Sequence, residues 1–216
     1  MRKVIVVGAI LLSSLGAVFA QTDTKAKAIL AQVSKKYRSY DIVKIGFTYT
    51  LENPQAKINE TQSGTLYVKS KTNKFIVVLK EQELLSDGIS QWTYLKADKE
   101  VQLNDVDTDP NSLNPAKVFT MYENGFKYAL VGNAKLNNRV TNVIELTPFD
   151  TKRSFFKVRL NIDLVNKQLV KAVIFDKNGS RYTYTIQSFI PNVKVPETIF
   201  SFDPKQHPGV EVVDLR

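Results

Sequence analysis

The first regular pattern along the chain is helical. Between Thr22 and Tyr40, apolar residues recur every three or four positions, the spacing that places them on one face of a helix. These positions are Ala26, Ile29, Leu30, Val33 and Tyr37. Thr22 or Asp23 is expected to cap the helix, because both side chains accept hydrogen bonds from the free N–H groups of a first turn. We therefore predict a helix over 22–40 that packs on a sheet.

The pattern then changes to alternation of apolar and polar residues, as expected for half-buried antiparallel strands. The clearest segment is 43–52, in which every second residue is apolar. The other predicted strands are 64–70, 74–80, 89–96, 99–104, 126–131, 139–147, 157–164, 169–175, 181–189 and 210–213. Asn178-Gly179, between two alternating segments, indicates a tight hairpin. The count is ten or eleven strands in one mainly β domain.

A second, short helix is predicted after a polar interruption. Asn114 is placed to cap it, and Pro115 suits the first helical position. Gly125 is a typical C-terminal stop, so the helix has at most about three turns. Its apolar stripe consists of Val118, Phe119 and Tyr122.

So many consecutive antiparallel strands predict one large sheet. Wide sheets twist and curl, which leaves a concave face. If large apolar residues line that face, the two predicted helices must fill or cover it. Any volume they leave is a pocket.

The first twenty residues are predicted to be a secretory signal peptide. Arg2 and Lys3 precede an apolar run over 4–12, and Val18-Phe19-Ala20 resembles a cleavage site. A membrane anchor is the alternative, but the run is shorter than the roughly 20 residues that span a bilayer. We expect cleavage after Ala20 and a single exported domain over 21–216.

Composition argues against most catalytic chemistry. The chain has no cysteine and one histidine, His207, which excludes disulfide scaffolds and thiolate sites and leaves no partner for a histidine-dependent triad. The acidic run 104–109 lacks the glycine and glutamate that a calcium loop needs. We therefore expect no catalytic residues, no metal and no cofactor. The net charge of +9 suits an anionic membrane or acidic partner, because no nucleic-acid motif accompanies it.

Three segments together resemble one protein family. Gly64–Lys69 reads G-x-L-x-V-K, and Ser86-Asp87-Gly88 is followed by Trp92 and Tyr94. The end of the chain adds Phe200-Ser201-Phe202 and the segment 208–214. In order and spacing they resemble the periplasmic outer-membrane lipoprotein carriers, the LolA-like proteins.

The resemblance implies a fold and a function. The fold would be a half-open curved antiparallel sheet, an incomplete barrel, with a helical lid over an apolar cavity. The function would be to shield the acyl chains of lipoproteins released by an inner-membrane transporter and to deliver them to an outer-membrane acceptor. The protein would be a periplasmic monomer that approaches membranes transiently and binds no nucleic acid. The short helix with Val118, Phe119 and Tyr122 is the expected lid.

Strand parity suggests which residues line the cavity, although core packing explains each one equally well. The expected lining is Phe47, Tyr49, Leu66, Val68, Phe75, Val77, Leu79 and Trp92. One feature departs from the family: better-known members have an arginine just after the V-K pair that ties the lid shut, whereas Ser70 and Lys71 stand here. Lysine cannot make the planar, multidentate contact of arginine.

Two other functions are weighed against carriage. The same fold serves equally for a periplasmic sensor or structural envelope protein that binds a lipid or lipoprotein, since fold alone does not define function. An envelope hydrolase is disfavoured, because the sequence shows no nucleophile–base pair.

Overall fold

The computed structural model describes residues 23–107, 115–117 and 119–216. Within these ranges the chain forms one α-helix, twelve β-strands and four short 3₁₀ turns. The helix is α1 (Thr24–Arg38), and the strands are β1 (Ile42–Asn53), β2 (Ile58–Lys69), β3 (Lys74–Val78), β4 (Gln82–Asp87), β5 (Ser90–Leu95), β6 (Glu100–Asp105), β7 (Phe126–Leu136), β8 (Arg139–Pro148), β9 (Phe155–Asp163), β10 (Leu169–Asp176), β11 (Arg181–Pro191) and β12 (Glu211–Asp214). The 3₁₀ turns are Pro115–Lys117, Met121–Glu123, Glu197–Phe200 and Pro204–Gln206. The predicted signal peptide, Asn114 and Val118 lie outside the described residues.

All twelve strands belong to one sheet. Their order is β12-β6-β5-β4-β3-β2-β1-β11-β10-β9-β8-β7. Neighbours are antiparallel except β12 and β6, which are parallel. Because β12 and β7 are the two ends of this order, the curved sheet is open and not closed into a barrel. The mainly β architecture with one open antiparallel sheet confirms the prediction.

The helix α1 is fixed at its start by Asp23. One carboxylate oxygen, Oδ1, accepts hydrogen bonds from Lys25 N and Ala26 N at 2.9 and 3.1 Å. The other, Oδ2, accepts from Leu130 N on β7 at 2.9 Å. Asp23 therefore caps the helix and joins it to the edge of the sheet. The predicted apolar face, Ala26 to Tyr37, is buried.

The two faces of the sheet carry separate cores. The inner face packs against α1 and includes Val43, Val68 and Phe75. The outer face carries a smaller cluster of Leu85, Val101 and Phe202, to which the C-terminal segment contributes. Side chains of successive residues in a strand point to opposite faces, so β3 and β4 contribute residues to both cores.

One strand was missed and the second helix was predicted wrongly. Strand β4 covers 82–87, which was not among the predicted strands, because its Gln82–Leu85 segment does not alternate. The predicted helix at 114–125 is two 3₁₀ turns in the described residues, with Thr120 N bonded to Lys117 O and Glu123 N to Thr120 O. These i→i−3 bonds bring residues three apart onto one side. Phe119 and Tyr122 are both buried in that way.

Candidate functional site

An apolar band lies on the inner face where β1 pairs with β11. Register places Phe47 opposite Ile186, Tyr49 opposite Tyr184, and Leu51 opposite Tyr182. Phe47, Tyr182, Tyr184 and Ile186 are partly buried and pack against the main core. We call Phe47, Tyr49, Tyr182, Tyr184 and Ile186 the aromatic band.

The rings of the aromatic band contact one another. Tyr49 and Tyr184 have ring centroids 5.1 Å apart, and Phe47 and Tyr184 are 6.4 Å apart. Tyr49 also stacks on Tyr182 at 6.4 Å. Burial raises the pKa of Tyr184 to about 12 and raises the pKa of Tyr49. The hydroxyls are therefore uncharged at neutral pH, and the band presents ring surface with few polar atoms.

Gly64 allows this band to pack closely on β2. A Cβ atom at Gly64 would lie 2.6 Å from both Phe47 Cζ and Leu79 Cδ2. Real Cβ atoms do not approach other atoms so closely, so both side chains rest over bare backbone. The glycine of the G-x-L-x-V-K motif thus has a packing role beneath the band.

Seven of the eight predicted cavity residues share the inner face. Leu66, Val68 and Phe75 are buried within its core, whereas Phe47, Tyr49, Val77 and Leu79 are only half-buried. The half-buried residues keep part of their side-chain surface exposed, whereas the buried ones belong to the core.

Trp92 lies on the opposite face. Pairing of β3, β4 and β5 aligns Ile76, Leu85 and Trp92, and Trp92 packs in the outer cluster. Phe75 and Val77 pair instead with Ser86 and Leu84. A shift of one residue along a strand reverses the face, so the structure separates Trp92 from the other seven positions.

Residues 115–117 and 119–123, which we call the lid segment after the role expected from the sequence, pack against α1. Ser34 Oγ is 3.2 Å from Phe119 O and 3.3 Å from Tyr122 Oη. The Phe119 ring lies 4.7 Å from the Tyr37 ring and 5.9 Å from the Phe189 ring of β11. Phe119 and Tyr122, both predicted for the lid, therefore join the helix to the sheet.

An ion pair reinforces this contact. Arg38 Nη1 donates to Glu123 Oε1 at 2.6 Å, and Arg38 Nη2 donates to Glu123 Oε2. The Arg38 hydrogen bond lowers the pKa of Glu123, and Glu123 raises the pKa of Arg38. Ser70 Oγ instead donates to Tyr37 O at 3.2 Å. An arginine thus contacts the lid segment from α1, and Ser70 holds the end of that helix.

The interior beneath the lid segment is closely packed. A cavity of about 10 Å³ remains among α1, Phe119, Leu169 and Phe189. That volume suits roughly one water molecule and is far below the volume of about 300–1,000 Å³ that is typical of small-molecule sites. At this position the described residues show an apolar lining without an enclosed cavity of lipid size.

Among the described residues, no group of three or more histidine, cysteine, aspartate or glutamate side chains is placed to hold a metal ion. In the same part of the chain, every helix is too short or too polar to cross a bilayer. The notable feature is an open sheet whose inner face presents apolar rings next to a helix.

The described residues thus form an open, largely antiparallel sheet with one α-helix packed on its apolar face. Residues 16–175 match the family model of the outer membrane lipoprotein carrier protein LolA. The chain therefore belongs to that family, which confirms the resemblance. No curated protein matches the sequence.

Solved structures share the fold at low sequence identity. An uncharacterized conserved protein from Thermus thermophilus is 14% identical, with a TM-score of 0.58 over 88% of this chain and 99% of that one. MucB is 14% identical, with a TM-score of 0.51 over 88% of this chain and 66% of that one. A LolA superfamily protein from Nitrosomonas europaea is 15% identical, with a TM-score of 0.45 over 82% of this chain and 98% of that one.

Proposed function

We propose that this protein carries lipoproteins across the periplasm by covering their acyl chains with the inner face of its sheet. The half-buried aromatic band is the observation that carries the proposal. Residues 21–216 would be the exported domain after cleavage behind Ala20. An inner-membrane transporter would load the carrier, and an outer-membrane acceptor would unload it.

Burial of acyl chains supplies the driving force. Each methylene removed from water contributes about 0.8 kcal/mol, so an acyl chain requires contact with a continuous apolar surface. Phe47, Tyr184 and Ile186 offer such a surface with few directional groups. Because an acyl chain makes no hydrogen bonds, these contacts bury the chain without selecting for its length or composition.

Loading requires movement of the lid segment. The interior cavity of about 10 Å³ is too small for an acyl chain, so Phe119 must leave its place against Tyr37 and Phe189. Acyl methylenes then replace the ring on the same apolar surface. The Arg38–Glu123 pair is partly exposed, and exposed pairs contribute only about 0–1 kcal/mol. The pair can therefore open and close without a large barrier.

Calorimetric titration with a synthetic acylated lipopeptide tests the proposal. The same peptide without acyl chains is the ligand control. Tyr184→Asp places a charge in the aromatic band, and Thr183→Asp places the same charge on the outer face of the same strand. We expect binding of the acylated peptide alone, weakened at least about tenfold by Tyr184→Asp, since burying an unpaired charge is strongly unfavourable.

Two results would contradict the carrier proposal. Equal binding of both peptides would favour the lipid- or lipoprotein-binding sensor or structural role, in which protein contacts dominate. Equal weakening by Tyr184→Asp and Thr183→Asp would place the acyl chain elsewhere. Circular dichroism of each variant establishes that it is folded.

A further inference from the structure

A second cavity lies where the end of α1, the β2–β3 turn and the lid segment meet. Its volume is about 280 Å³. Tyr37 and Arg38 line it from the helix, residues 71–73 from the turn, and Ala116, Lys117 and Thr120 from the lid segment. We call it the cationic pocket. It is slightly smaller than typical small-molecule sites of about 300–1,000 Å³, which suits a small polar group.

The charges around the cationic pocket are unbalanced. Arg38 is paired with Glu123. Within the described residues, Lys71 and Lys117 have no acidic partner. The part of the chain that the structure describes therefore offers no ion-pair partner for these two positive charges, one on the β2–β3 turn and one on the lid segment. Ligands with negative charge are favoured there over neutral ones.

The end of α1 does not oppose an anion strongly. Helix C-termini carry partial negative charge on free carbonyl groups. Here Lys36 O accepts from Ser39 N and Ser39 Oγ, at 3.1 and 2.6 Å. Tyr37 O accepts from Tyr40 N at 3.1 Å. These carbonyls are therefore already bonded, and the lysine charges dominate the pocket.

We propose that the cationic pocket binds a phosphate group, either free or in a phospholipid head group. Lysine ammonium groups are effective point-charge ligands for phosphate. A phosphate offers several acceptor oxygens, enough for Lys71 and Lys117 together. The proposal goes beyond acyl-chain carriage and does not depend on it, because none of these residues belongs to the aromatic band.

Calorimetry with defined anions tests the cationic pocket. The purified protein is titrated with inorganic phosphate and, separately, with dihexanoylphosphatidylglycerol below its micelle concentration. The uncharged dihexanoylglycerol is the ligand control. The double variant Lys71→Gln/Lys117→Gln removes two charges from the pocket. Lys127→Gln/Lys135→Gln removes two charges from exposed positions of β7 and keeps the net charge matched.

We expect saturable binding that the pocket variant weakens at least about tenfold, given the strength of hydrogen bonds to charged groups. The β7 variant should bind the phosphate ligands as tightly as the wild type does. The uncharged lipid should not show this binding. Binding of the phospholipid alone would identify a head group as the source, and binding of both ligands would identify the phosphate itself.

Absence of binding to wild-type protein would overturn the proposal. So would equal weakening in the two double variants, which would indicate attraction by net charge. An acylated lipopeptide that contains no phosphate reports separately on lipoprotein carriage. The two proposals can therefore fail independently.

Discussion

Arg38 and Glu123 form two hydrogen bonds between the last turn of α1 and the lid segment, although 85 residues separate them in the chain. Their side chains are 43% and 29% exposed. This pair, together with Ser34, holds the lid segment against the helix. Arg38 on α1 thus supplies an arginine contact to the lid segment. The residues just after the V-K pair are Ser70 and Lys71.

Removing the Arg38–Glu123 pair should loosen the lid segment without unfolding the protein. We expect Arg38→Gln and Glu123→Gln each to lower the free energy of unfolding by at most about 1 kcal/mol, because the pair is partly exposed. Hydrogen exchange of residues 119–123 should accelerate in both variants. Unchanged hydrogen exchange of these residues in both variants would contradict a role of the pair in holding the lid segment.

Acid should weaken the same contact. The pKa of Glu123 lies below its ordinary value of 4.5 because of Arg38. A carboxyl group whose pKa is lower in the folded state stabilises the fold above its unfolded pKa, and this contribution is lost as pH falls through the folded pKa. The stability difference between wild type and Arg38→Gln should therefore shrink as the pH falls below 4.5.

The Glu123 titration can be measured directly by carbon NMR of its carboxyl group. We expect the midpoint below 4.5 in wild type and a higher midpoint in Arg38→Gln. Identical midpoints in the two proteins would show that Arg38 is not the cause.

Gly64→Ala should disturb the packing of the aromatic band. The new Cβ would lie 2.6 Å from Phe47 and Leu79, so at least one side chain must move. Because the atoms that must move are the ends of half-buried side chains, we expect a cost at the low end of the about 1–3 kcal/mol of overpacking, measurable by urea unfolding. Phe47→Leu in the Gly64→Ala background should recover part of the loss. Ser63→Ala, on the exposed side of β2, is the matched control and should have little effect.

Trp92 should not report acyl-chain binding. Its side chain packs on the outer face with Leu85 and Phe202, away from the aromatic band. We expect its emission to stay constant when an acylated lipopeptide binds and to change in Phe202→Ala. A shift of Trp92 emission on acyl binding alone would indicate that the ligand reaches the outer face or rearranges the sheet.

Much of the architecture could be predicted because apolar and polar residues alternate along an antiparallel strand that has one face more buried than the other. Segments such as 43–52 and 157–164 show this alternation directly, and α1 shows apolar residues at the spacing of three or four that is typical of a helix. Strand β4 does not alternate and was not predicted, and this omission affected the prediction for Trp92. Paired residues on neighbouring strands lie on the same face of the sheet. Without β4, the face on which Trp92 lies could therefore not be derived from the face of Phe75.

The structure of the lid segment could not be predicted from local sequence patterns, for a different reason. Its shape depends on Phe119 and Tyr122 packing on Tyr37 and Ser34, which are more than 80 residues earlier in the chain. Helix signals at 114–125 are local, and tertiary packing overrides them. Arg38 likewise carries no sequence signal for its partner. The buried core positions could be predicted, whereas the polar contacts of the lid segment could not.

Photo-crosslinking tests the central claim most directly. p-Benzoylphenylalanine is introduced at Tyr184 in one protein and at Trp92 in another, so that one aromatic residue on each face becomes reactive. Each protein is irradiated with a lipopeptide that has labelled acyl chains. The account predicts labelling from position 184 and none from position 92. Labelling from position 92 alone, or equally from both, would contradict binding of acyl chains on the inner face.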